Sequence, residues 1–169
     1  KVHQEHYYEG KAWANEMAKR GYVVMVPDSF TFASRRVLLE EVPENRRAGL
    51  TDENPENEEN IAAYNKWAAD HEHVMAKSLF CGGTSWPAVF FAEDQMALNI
   101  LLARKDVDSN NVGCGGLSGG GLRTVMMGGL DHRIKCAVCV GFMSTWTDFL
   151  LIEKINCILY LKCKKQIKF

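Results

Sequence analysis

One stretch of this chain has the residue types and spacing for covalent chemistry: Gly115-Gly116-Leu117-Ser118-Gly119-Gly120-Gly121, with the pattern G-x-S-x-G around Ser118. A serine hydroxyl is a weak nucleophile at neutral pH. It acts when it is presented, free of steric cover, to a base and to donors that hold a developing oxyanion. Small residues on both sides let the backbone make a tight strand-to-helix bend that lifts the serine clear of its surroundings. On this reading Ser118 is the candidate nucleophile. The N–H of Gly119, at the start of the following helix, is the candidate oxyanion donor, because unpaired amides and the helix dipole favour negative charge there. A phosphate-binding loop is the natural rival for a glycine-rich turn. Against it, no Gly-Lys-Ser/Thr closes the loop, and no G-x-G-x-x-G precedes an acidic residue at the ribose-binding spacing.

Such a bend needs a strand before it and a helix after it. Val112 to Gly115 supplies a short strand, and a helix is predicted from the glycines to about Leu130. Asp131-His132-Arg133 then turns the chain into an apolar strand, Ile134 to Val140. Upstream, Tyr8 to Arg20 carries Ala12, Trp13, Met17 and Ala18 mostly at helical spacing and closes on Lys19, Arg20 and Gly21, a usual helix stop. Tyr22 to Val26 is a continuous apolar run ending at Pro27-Asp28, and it is expected to be a strand covered on both faces. Pro43 to Asn60 is acidic and rich in Asn and Glu, and reads as a surface excursion. Ile61 to Leu79 is predicted helical, with Ala62, Tyr64, Trp67, Ala68, Val74 and Met75 inward, and Pro87 to Ala103 is a further helix opened by proline. The alternation predicts an α/β fold with a mostly parallel sheet flanked by helices.

The other chemistry-bearing residues have structural readings. His71 and His73 lie about 200° apart around a helix axis, a poor metal pair. His3 and His6 share a face but lack a third ligand nearby. Cys136-Ala137-Val138-Cys139 has C-x-x-C spacing inside a strand, where residues three apart point to opposite faces, so neither a shared metal nor a disulfide between them is expected. Asp28 is read as a turn or cap, Arg35 and Arg36 as loop supports, and Trp86, Phe90 and Phe91 as packing residues. Asp148 follows the last strand on the side where the serine emerges, but an acid without a histidine to orient does nothing. No metal is expected.

With 47% hydrophobic and 24% charged residues and a net charge of -1, the 169-residue chain has an ordinary globular composition. It offers no electrostatic reason for a nucleic-acid or membrane partner. Lys1 to His6 lacks the pattern of a signal peptide, which favours the cytoplasm, although a chain opening on Lys leaves room for a lost leader.

Several blocks together resemble the dienelactone-hydrolase and acetyl xylan esterase relatives of the α/β-hydrolases. They are Tyr7-Tyr8, Trp13 to Val24, Val26-Pro27-Asp28-Ser29-Phe30, Arg35-Arg36, Asp94 to Leu98, and Asp106-Val107-Asp108 with Val112 through Lys135. The resemblance spans His6 to Trp146. It implies an α/β-hydrolase domain over 1–150, the central part of that fold, and hydrolysis of a small-molecule or carbohydrate ester through an acyl-serine intermediate with no cofactor. An oxyanion-hole loop is expected to precede the first helix of this chain, and the triad acid and histidine to follow the serine. The one later histidine, His132, lies beyond a helix that carries the chain to the opposite edge of the sheet. The chain is therefore expected to be truncated at both ends, and a non-catalytic fragment, pseudo-enzyme or binding module is the alternative. Residues 151–169, basic and weakly patterned, are expected not to complete the sheet. That would end it at Ile134 to Val140 and leave an apolar edge open to self-association.

Overall fold

The computed structural model of the protein describes residues 5, 8–142 and 161–163. In chain order its regular elements are α1 (Trp13–Lys19), α2 (Glu58–Cys81), α3 (Trp86–Leu102), β1 (Val112–Leu117), α4 (Gly119–Leu130), β2 (Ile134–Val140) and β3 (Leu161–Cys163). The chain divides into two compact units, one made of Lys1–Val26 with Phe91–Phe169 and the other of Pro27–Phe90.

The first unit is built on a parallel pair. β1 and β2 run side by side from Val112 opposite Ile134 to Leu117 opposite Val140. Parallel neighbours need a crossover, and α4 provides it. This helix buries Gly121, Thr124 and Met127, three apart along one face. Its glycines set how closely it lies on β2. A β-carbon at Gly121 would stand 2.7 Å from Cβ of Phe142 and 3.0 Å from the Val140 carbonyl, and one at Gly128 would stand 2.8 Å from Cβ of Ala137. Each helical glycine costs about 0.5–1 kcal/mol relative to alanine, and the close seating of helix on strand offsets that cost. The buried centre is Leu98 of α3, Val112 of β1 and Met127 of α4, with Phe91, Leu102, Cys114 and Ile134 packed around them. Full burial of such side chains is worth about 1.5–3 kcal/mol each.

The second unit packs loop onto helix. α2 is capped by Asn57, whose side chain accepts from the N–H groups of Glu59 (2.9 Å) and Asn60 (3.2 Å), with Glu58 and Glu59 in the favourable first turn. The helix therefore starts three residues before the Ile61 expected from apolar spacing. Trp67 and Ala68 bury against Leu39, with Val37, Val42, Leu50 and Tyr64 around them. The predicted excursion at Pro43–Asn60 is thus tied down. Its Leu50 joins that cluster, and the carbonyl of Arg46 accepts the Trp67 indole N–H at 2.8 Å. Of the expected inward residues, Ala62 and Val74 are instead exposed.

Two further expectations are corrected. Tyr22–Val26 is not a ladder strand; it runs without regular assignment, and Tyr22, Val23, Met25 and Val26 are exposed. A run of this kind is a strand only when a neighbouring segment pairs with it, and among the described residues none does. The sheet does not end at β2 either. β3 pairs with it antiparallel, with Cys163 opposite Cys136 and Leu161 opposite Val138, so that edge is occupied over these residues. An antiparallel strand is not the parallel continuation that a hydrolase sheet would carry next.

Candidate functional site

Ser118 sits between the last residue of β1 and the first of α4, at φ 53° and ψ −113°, and it is exposed. A non-glycine residue in this sparsely populated region costs on the order of 1–3 kcal/mol and is held only where its surroundings enforce it. Three contacts enforce it here. The Ser118 N–H donates to the Val140 carbonyl at 2.8 Å, extending the parallel pairing past the end of β1. The Ser118 carbonyl accepts the first α4 hydrogen bond, from the N–H of Leu122 at 3.1 Å. Beneath the turn, Gly116 approaches Gly120 so closely that a β-carbon on Gly116 would overlap the Gly120 backbone. The open space around Gly119 leaves the start of the helix uncovered on that side. The first amides of an α-helix have no intrahelical acceptor, so the turn joins an exposed hydroxyl to a row of donors.

Helix α4 is anchored where it leaves this turn. Arg123 reaches Asp94 of α3 through both arms of its guanidinium, Nε to Oδ2 at 2.9 Å and Nη2 to Oδ1, with both side chains largely buried. The hydrogen bonds to the Asp94 carboxylate raise the pKa of the Arg123 guanidinium further above its ordinary value. Thr124 Oγ1 donates to the Gly120 carbonyl at 2.8 Å. At the far end of α4, Asp131 is buried and accepts from Nε (2.9 Å) and Nη2 (2.6 Å) of Arg133, while Arg133 also donates to Asn99. The Arg133 hydrogen bonds hold the Asp131 carboxyl far below the usual carboxylate range. Sequence reading missed both pairs. Asp94 and Arg123 are 29 residues apart and leave no local signal, whereas Asp131 and Arg133 at a helix stop were visible but were read only as a turn.

The described residues bring no base to Ser118. His132 is exposed beside the start of β2, and Ser118 is bonded to its end, roughly 20 Å away at about 3.3 Å per strand residue. His71 donates from Nδ1–H to the Trp67 carbonyl (2.8 Å) and stacks on the Trp67 ring, and His73 is exposed on the same helix. Asp28 accepts from Ser34 N–H and Oγ, as a turn residue does, and Arg36 pairs with Asp52 in the loop. Trp86 packs between Phe30 and Phe90. Asp148, His3 and His6 lie outside the described residues. Cys139 is buried with Sγ near the Gly121 carbonyl, and burial pushes the Cys114 thiol up to about 12. A small cavity in the second unit, about 30 Å³ and bounded by Tyr64, Trp67, His71, Met75 and Trp86, is the size of a water rather than a substrate. No group of His, Cys, Asp and Glu among the described residues is arranged to hold a metal, and no described helix is long and apolar enough to cross a membrane. Comparison with models of protein families, with characterised proteins and with solved structures returns no match.

Proposed function

We propose that Ser118 is the nucleophile of a serine hydrolase of the α/β-hydrolase type, acting on small-molecule or carbohydrate esters. The observation that carries this reading is the backbone of Ser118 itself. A side-chain-bearing residue at φ 53°, ψ −113° stands exposed between a parallel strand and the helix that crosses over from it, with glycine on the helix side. In the proposed reaction Ser118 Oγ attacks the ester carbonyl carbon while a base removes its proton. The carbonyl oxygen becomes an oxyanion facing the Gly119 N–H, and collapse of the tetrahedral adduct expels the alcohol, which takes up the proton. Water then attacks the acyl-serine by the same route in reverse order of roles. The proposal draws the acid and base, and a second oxyanion donor, from outside the described residues. No cofactor enters the scheme. A fluorophosphonate probe should label Ser118 in the product of the complete coding sequence, and Ser118→Ala should lose both labelling and ester cleavage. Unchanged cleavage in that variant rejects the reading.

A second reading has its own observation, the exposed Ser118 without a described base. On that reading residues 1–169 alone are non-catalytic. Purified chain should then turn over an activated acetyl ester no faster than its Ser118→Ala variant, since without acid and base only a small residual acceleration is left. Serine-dependent turnover by residues 1–169 overturns it.

A further inference from the structure

We propose that Asp94 and Arg123 are positioning residues for the Ser118 turn: by fastening the start of α4 to α3, they hold the serine hydroxyl and the first amides of the helix in one fixed relation. The consequence for rate rests on the serine-hydrolase reading above, whereas the seating of the turn does not.

The turn needs such a tie because its own sequence holds it weakly. α4 opens on Gly119, Gly120 and Gly121, and glycine is the poorest helix former after proline. Ser118 itself sits in a backbone region that its surroundings must enforce. Packing adds little on the open side, where a β-carbon on Gly119 or Gly120 would meet nothing within 4 Å. The Ser118 carbonyl accepts from the Leu122 N–H, so that bond lasts only while the helix start stays in place.

Arg123, the next residue, is the one charged side chain on α4. It crosses to Asp94 through both arms, Nε to Oδ2 at 2.9 Å and Nη2 to Oδ1, with the two side chains 15% and 12% exposed. A two-armed, charge-assisted contact fixes direction as well as distance. The other contacts here are lesser: Thr124 Oγ1 bonds within its own helix, and the Cys139 thiol is a weak donor to the Gly121 carbonyl at 3.5 Å. Beyond the far end of α4, separate contacts reach the same helix α3, Arg133 to Asn99 at 2.6 Å and Gln95 to Asp131 at 3.4 Å. The two ends can therefore be loosened one at a time. In the proposed reaction the Gly119 N–H must face the oxyanion while Ser118 Oγ reaches the carbonyl carbon, and a misplacement of about 1 Å costs on the order of 100-fold in rate.

The test uses Arg123→Lys, which keeps the charge and loses the fork, and Asp94→Glu, which keeps the charge and lengthens the reach, in the product of the complete coding sequence. Hydrogen exchange read at single amides should show Ser118 and Leu122 exchanging about tenfold faster or more, relative to amides of the β1–β2 ladder. Fluorophosphonate labelling of Ser118 and kcat for an activated acetyl ester should fall by about 10- to 100-fold, with KM within about twofold. Asn99→Ala, which loosens only the far end, should label at the parent rate. Exchange at Ser118 and Leu122 that rises only in step with the ladder amides overturns the proposal, as does an unchanged labelling rate in both charge-keeping variants. Selective loosening of the two amides in a parent protein that the probe never labels rejects the hydrolase reading and upholds the seating of the turn.

Discussion

At position 118 the backbone takes a conformation that glycine would enter at little cost, yet the chain keeps a side chain there. The glycines are displaced to 116, 119, 120 and 121, where they make room for the bend and for the helix behind it. Charge is handled with similar economy at Asp131, a buried carboxylate answered by one arginine two residues on. Its folded-state pKa lies below its unfolded value, so the stability it contributes is complete above the unfolded value near pH 4 and is lost as pH falls through the lower folded-state value. Asp131→Asn should therefore cost about 1–3 kcal/mol between pH 5 and 8, and the gap to the parent chain should shrink as pH drops below about 4. Urea unfolding monitored by circular dichroism across that range checks it, and a gap that widens with acidity contradicts the assignment.

Among the elements, the tie between α3 and α4 has the largest expected mechanical effect. Removing one side of a buried, two-armed ion pair leaves an uncompensated charge, so Asp94→Ala and Arg123→Ala should each cost about 3–5 kcal/mol. The double variant should cost less than the sum, and a double-mutant cycle by chemical denaturation measures the difference; strict additivity would show that the pair does not act as a unit. Much of this element layer was legible in the sequence. β1, α4 and β2 carry strong local signals, namely apolar runs, a glycine-rich bend and the stop at Leu130-Asp131. Ser118 and Gly119 fell where the motif placed them, at the junction of strand and helix. What escaped depends on partners far along the chain. Tyr22–Val26 has a strand's composition without a ladder, because pairing is a property of two segments and not of one. The seating of Leu50 and Arg46 against Trp67 was hidden behind the loop-like polarity of their neighbourhood.

For the molecule as a whole, the cores are thin. Each unit is centred on three buried apolar residues, and among the described residues no large side chain is fully enclosed. Meanwhile Met96, Ile100 and Leu130 in the first unit are 64%, 57% and 67% exposed. With a net charge of only -1, little electrostatic repulsion opposes contact between copies. The chain should therefore self-associate at micromolar concentration near neutral pH, and Met96→Glu with Ile100→Glu should reduce the apparent mass in light scattering. A monodisperse monomer in the unaltered chain removes this expectation. The discontinuity of the first unit also bears on how the protein is made. Residues 27–90 form one uninterrupted stretch, while Val26 and Phe91 belong to the same unit on either side of it. During synthesis, then, the inserted unit is finished before either strand of the parallel pair exists, and the first 26 residues must wait through its production for the companions that complete their own unit.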